Sequence, residues 1–192
     1  VRSSEPIPKD IIMKTSSSLF LSTIVITIAG FASAAAIAQE ATPAPELSNF
    51  VSQKSRAEVH AELLQAIAEL KRRGLKVTLY PFILMDTPPG QPAYPWRGRI
   101  TVLPMSADGT SAARAEVDAF VDRAEGYRRF ILHYAALAVA AGGVDGFLIG
   151  SELRGLTTLR DGADAFPFVE ALVGLAQAVR MVLGPATAIT YA

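Results

Sequence analysis

Between Ser55 and Ala192 the sequence switches repeatedly between two hydrophobic rhythms, and that alternation limits the fold more than any other feature. Ser55-Arg56-Ala57-Glu58 has the S-x-x-E spacing of a capping box, in which side chains satisfy the free backbone donors of a helix start. A helix to Arg73 follows, with Val59, Leu63, Ala66, Ile67 and Leu70 on one face and Gly74 as its left-handed stop. Lys76 to Met85, "KVTLYPFILM", is rich in strand formers and closes on the turn Asp86-Thr87-Pro88-Pro89-Gly90. Ala113 to Ala141 is helical, with Val117, Phe120, Val121, Phe130, Ile131, Tyr134 and Leu137 as its apolar stripe. Gly126 divides this segment and Gly142-Gly143 ends it. Val144 to Ile149 is a strand, and its unbroken Phe147-Leu148-Ile149 predicts a parallel strand covered on both faces. Asp164 caps one more helix, with Pro167 in the first turn and Phe168, Leu172, Leu175, Val179 and Leu183 on one face. Gly184-Pro185 ends it, and Ala186 to Tyr191 begins another strand.

Repeated βα units predict an α/β fold with a parallel sheet. Two architectures satisfy the pattern: a (β/α)8 barrel and an open doubly wound sheet. Neither G-x-G-x-x-G nor G-x-x-x-x-G-K-[ST] occurs, so the nucleotide-binding forms of the open sheet lose support. No cofactor is implied.

The N-terminal part is a different kind of sequence. Thr15 to Gln39 carries no charge, between Lys14 and Glu40. Its centre, Leu19 to Ala29, is apolar and β-branched, and small residues follow to Ala36-Ile37-Ala38. A basic start, an apolar middle and an A-x-A exit are the parts of a secretory signal peptide, here residues 13–38 with cleavage after Ala38. The alternative is an uncleaved anchor, since about 20 apolar residues can span a bilayer. The Ala-, Gly- and Ser-rich stretch from Gly30 to Ala38 favours cleavage. On this reading residues 1–12 precede the natural start at Met13, and 39–54, with Pro43 and Pro45, is a linker to the domain at 55–192. Any membrane contact runs through the signal segment.

Eighteen basic residues balance eighteen acidic ones, which removes the electrostatic case for nucleic acid. The absence of Cys removes disulfides, thiolate metal sites and Cys nucleophiles. His60 and His133 lie on separate predicted helices and form no H-E-x-x-H, so the sequence points to no metal site. No Ser has a G-x-S-x-G setting.

In a barrel, working residues lie just beyond the C-terminal ends of the strands. The first strand end offers Asp86 and, slightly inside, Tyr80; the second Ser151 and Glu152; the third Tyr191. The long connection after the first strand adds Tyr94, Trp96, Arg97 and Arg99, a mixture of aromatic and guanidinium groups suited to sugar faces and hydroxyls. Glycoside hydrolysis needs two carboxyl groups flanking the bond, one of them protonated. Glu152 is placed to be that acid, and Asp86 is a weak second. Each also has a structural reading. Glu152 can pair with Arg154 or sit at a helix start, Asp86 can form the turn, and Trp96 can seal the barrel end.

The segments "ELKRRGLKVTLYPFILMDTPPG", "YPWRGRIT", "YRRFILHYAALAVAAGGVDGFLIGSELRGLTTLRDG" and "FPFVEALVGLAQAVRMVLGPATAITYA" together resemble the TIM-barrel-like domain of gene transfer agent and phage tail proteins, the large host-specificity or baseplate proteins. The resemblance spans about Ile67 to Ala192. It implies a glycoside hydrolase-like barrel directed at cell-envelope glycan, with other tail or baseplate proteins as partners. Glu152 matches the position after the fourth strand where such glycosidases keep their acid/base. They have Asn before it, whereas this chain has Ser151, which weighs against hydrolysis. "MKTSSSLFLSTIVITIAGFASAAAIAQEATP" with "SRAEVHAELLQA" resembles the start of a family of short exported bacterial proteins of unknown function. The two resemblances meet near Gln65-Ala66, inside one predicted helix.

The combined expectation is a partial TIM-barrel-like domain with about three parallel strands, inactive alone and with bare sheet edges that hinder folding. A glycan-directed module is the first functional reading. A structural tail scaffold and a small exported protein are the alternatives. Location follows the N-terminus: exported or periplasmic if the signal is genuine, in a phage-like particle tail if it is not.

Overall fold

The computed structural model describes residues 23–29, 54–83, 97–102 and 108–192. One four-stranded sheet has the order β1-β2-β3-β4, with β1 at Thr23–Ala29, β2 at Lys76–Phe82, β3 at Gly146–Leu148 and β4 at Ala188–Thr190. β2, β3 and β4 run parallel, as the βα alternation requires. β1 runs antiparallel to β2, from Thr23 opposite Phe82 to Ala29 opposite Lys76. One edge expected to be bare is therefore paired by part of the charge-free N-terminal run. The rest of the expected signal segment lies outside the described residues. Among those residues no helix is long and apolar enough to cross a membrane.

The helices are α1 (Arg56–Arg72), α2 (Ser111–Asp122), α3 (Tyr127–Ala140), the short α4 (Arg154–Thr157) and α5 (Pro167–Leu183), with a one-turn 3-10 helix at Arg97–Arg99. α1 begins on the expected reciprocal capping box. Ser55 Oγ accepts from Glu58 N at 3.3 Å, and the Glu58 carboxylate accepts from Ser55 N at 2.6 Å. Gly126 separates α2 from α3 and is the N-cap of α3. α5 departs from expectation: its N-cap is Phe166, with no side-chain cap bond, rather than Asp164. Pro167 at the first helical position needs no donor partner, so the start there requires no capping side chain.

The core lies between the helices and one face of the sheet. Val77 and Leu79 of β2 and Phe147 of β3 are fully buried, beside Ile67 of α1, Ile131 of α3 and Phe168 and Val179 of α5. The opposite face carries Thr78, Tyr80 and Leu148, which are half-buried, and Thr190, which is exposed. The unbroken apolar run at Phe147-Leu148-Ile149 is thus covered on one face, not both.

Asp145 fastens β3 to its neighbours at the N-terminal end. Its N donates to Val77 O at 2.8 Å, its Oδ2 accepts from Val77 N at 2.9 Å, and its carbonyl accepts from Ala188 N at 2.9 Å. The Val77 amide, helped by Lys76 Nζ at 3.0 Å, holds the Asp145 carboxyl below the ordinary aspartate value of 3.8. A depressed folded-state value means that the unfolded chain binds the proton more readily. The stabilisation is therefore complete above pH 3.8 and is lost as the pH falls through the lower folded value. Asp145→Asn should flatten the acid limb of a stability-versus-pH profile followed by circular dichroism, and an unchanged limb would contradict this account.

Candidate functional site

The C-terminal ends of β2 and β3 converge on a small polar cluster. Beyond β3 the backbone keeps pairing with the β4 segment. Ile149 N donates to Thr190 O at 2.9 Å, Ala192 N to Gly150 O at 3.1 Å and Glu152 N to Ala192 O at 3.2 Å. This pairing carries Ser151 and Glu152 to the rim. Gly150 is required there by close approach, because a Cβ would lie 2.6 Å from Tyr127 Oη and 3.0 Å from Tyr191 Cε2. Tyr127 itself donates to Ile149 O at 2.8 Å from a buried position. Gly150→Ala should cost about 1–3 kcal/mol through this overpacking. Chemical denaturation measures it, and a neutral result would mean that the two tyrosines have room to withdraw.

Arg97 enters from the 3-10 turn. That turn is held against α4, where Thr101 Oγ1 donates to Gly155 O at 2.9 Å. A Cβ on Gly155 would stand 2.4 Å from Ile100 O, so only glycine permits the contact. Arg97 Nε donates to Ser151 O at 3.1 Å, and Nη2 donates to Ser151 Oγ at 2.9 Å. Nη2 also stands 2.9 Å from Glu152 Oε2. The guanidinium carbon lies 5.1 Å from the Phe82 ring centroid and 5.9 Å from that of Tyr80, within cation–π range. Ser151 is buried, and its hydroxyl also hydrogen-bonds Tyr80 Oη. Tyr191 Oη accepts from Leu153 N at 2.9 Å. Burial pushes the phenols of both Tyr80 and Tyr191 above their ordinary value, so both remain protonated at neutral pH.

Glu152 is the one non-glycine residue among those described with positive φ, at 53°. A left-handed conformation costs a residue with a Cβ roughly 1–2 kcal/mol. Such strain persists where the surroundings over-determine it, commonly at functional positions. Its carboxylate is half-exposed at the rim and faces Arg97, where the sequence offered Arg154 as partner.

Four sequence-derived candidates therefore come together: Tyr80, Arg97, Glu152 and Tyr191. Asp86 and Trp96 lie outside the described residues. Sequence reasoning offered Ser151 at the strand end beside Glu152 but assigned it no chemistry, although it is the hub of the cluster. Its position next to Glu152 at a strand end was the available signal. Phe82, one of the two rings beneath Arg97, was missed as a site residue.

Residues 125–192 match the GTA TIM-barrel-like domain. Residues 13–69 match a domain of unknown function (DUF4148). No curated protein matches the chain. The first match contains α3, β3, α4, α5 and β4, with Ser151, Glu152 and Tyr191. The second contains β1 and most of α1. β2 with Tyr80, and the turn with Arg97, lie between the two.

Proposed function

We propose that the C-terminal part of this chain, a TIM-barrel-like module related to those of gene transfer agents and phages, presents a glycan-facing rim that binds without cleaving. The carrying observation is the Arg97–Glu152 contact. Arg97 Nη2 stands 2.9 Å from Glu152 Oε2, so the carboxyl is engaged by a guanidinium in place of a leaving-group oxygen. Among the described residues the cluster holds Glu152 as its carboxylate, with no second one placed across from it to complete a glycosidase pair. What remains is a guanidinium fork, a carboxylate, a serine hydroxyl and the aromatic faces of Tyr80, Phe82 and Tyr191. This combination suits hydroxyls and apolar sugar faces. Cell-envelope glycan is the substrate class, other tail or baseplate proteins are the partners, and a particle tail or the exported space is the location.

The test is sedimentation of the full chain with purified bacterial sacculi, alongside an assay for released reducing sugar. Binding without release is expected. Sugar release that disappears in Glu152→Gln would sink the non-cleaving half, and no binding would sink the whole reading. A scaffold role has one specific observation in its favour: Ser151, Glu152 and Tyr191 already find partners within the chain. Absence of binding would favour that role.

A further inference from the structure

The chain has two histidines, and the structure brings them together across two helices. His60 on α1 and His133 on α3 are 73 positions apart, yet their Nε2 atoms stand 3.1 Å from one another. The ring centroids are 4.7 Å apart and the planes are tilted by 47°. A good N–H···N bond would place the rings end to end, with the centroids farther apart by a full ring radius on each side. The observed excess of centroid over nitrogen separation is smaller than that. At least one ring axis therefore bends off the N···N line; the two nitrogens lie within hydrogen-bonding distance and equally within reach of one shared third atom. Zinc–imidazole bonds are about 2.0–2.1 Å, so two such ligands on one ion stand roughly 3 Å apart.

We propose that His60 and His133 form a two-imidazole site for a divalent transition-metal ion of the Cu2+, Ni2+ or Zn2+ class, clasping α1 to α3. Imidazole nitrogen prefers these ions over Mg2+ or Ca2+, which take oxygen. His133 is exposed and His60 half-exposed, so water can complete the coordination. The described residues contain no cluster of three or more ligating side chains, which makes this a two-ligand site. Tyr134 meets His133 edge-on, with ring centroids 5.3 Å apart. Arg56 and Arg129 also face His133. The same two arginines repel a cation and limit affinity. His60 lies in the segment matching the domain of unknown function and His133 in the segment matching the GTA domain, so the ion would join the two parts.

The experiment is thermal unfolding of the full chain, made without a histidine tag, in EDTA and then in excess Ni2+, Zn2+ or Mg2+. A ligand that binds only the folded state raises the midpoint. Ni2+ and Zn2+ should raise it, Mg2+ should not, and His60→Ala or His133→Ala should each abolish the rise. An equal rise in either variant, or none in the parent chain, overturns the site. If the variants do not fold, Cu2+ electron paramagnetic resonance on the parent decides. Hyperfine splitting from two imidazole nitrogens supports the site, since the chain has no others, and splitting from one or none overturns it.

Discussion

Phe147→Ala is expected to destabilise the protein by about 3–5 kcal/mol, the range for removing a fully buried aromatic side chain. Phe147 sits in the central parallel strand, opposite Leu79 of β2 and Ile189 of β4, and is completely buried. The strand is only three residues long, so one side chain carries much of its anchoring to the helical layer. Net stabilities of natural domains are about 5–15 kcal/mol, so this one truncation can consume a large part of the total. Urea denaturation followed by far-ultraviolet circular dichroism reads the effect as a lower midpoint. Phe147→Leu retains most of the volume and should cost less. A loss under about 1 kcal/mol for Phe147→Ala would mean that the helices collapse into the space, and hence that the layer over β3 is loosely packed.

Much of this fold was legible because its signals are local. The capping box of α1, the break at Gly126 and the apolar stripes of α1, α3 and α5 each depend on residues within a few positions of one another. Phe130 and Leu137 were expected on the α3 stripe and are only partly buried, which is a matter of degree. β1 was not legible. An uncharged, apolar and β-branched run has no alternation to separate an exported leader from a strand, and its pairing with β2 is a hydrogen-bonding choice made at long range. The site divides in the same way. Glu152 and Tyr191 announced themselves by standing at strand ends. The partner of Glu152 could not be found, because Arg97 lies on a separate turn whose docking depends on Gly155 meeting Ile100. The histidine pair was hidden for the same reason: no spacing along the chain encodes how α1 lies against α3.

On the proposed glycan-binding reading, Arg97→Ala should weaken binding to sacculi roughly 10- to 100-fold. A hydrogen bond to a charged group contributes about 1.5–3 kcal/mol, and each 1.4 kcal/mol is about tenfold in affinity. The side chain is 16% exposed, so its fork is held by the protein. Without it, Ser151 Oγ keeps only the Tyr80 hydroxyl as a partner among these contacts, and the Glu152 carboxylate is released from Arg97 to sample the solvent. The strained backbone at Glu152 then lacks that tether, so the rim loses its arrangement as well as one donor. Arg97→Lys should behave much like alanine. A single ammonium cannot reproduce the two-pronged contact with Ser151 and Glu152, nor lie flat over Phe82. Stability should fall far less than binding in both variants, because the cluster sits at the rim and Glu152 is half-exposed. Sedimentation with sacculi and urea denaturation on the same samples separate the two effects. Equal binding by the Lys variant would reduce the role of Arg97 to that of a point charge. Unchanged binding by the Ala variant would overturn the proposal that this end of the sheet binds glycan.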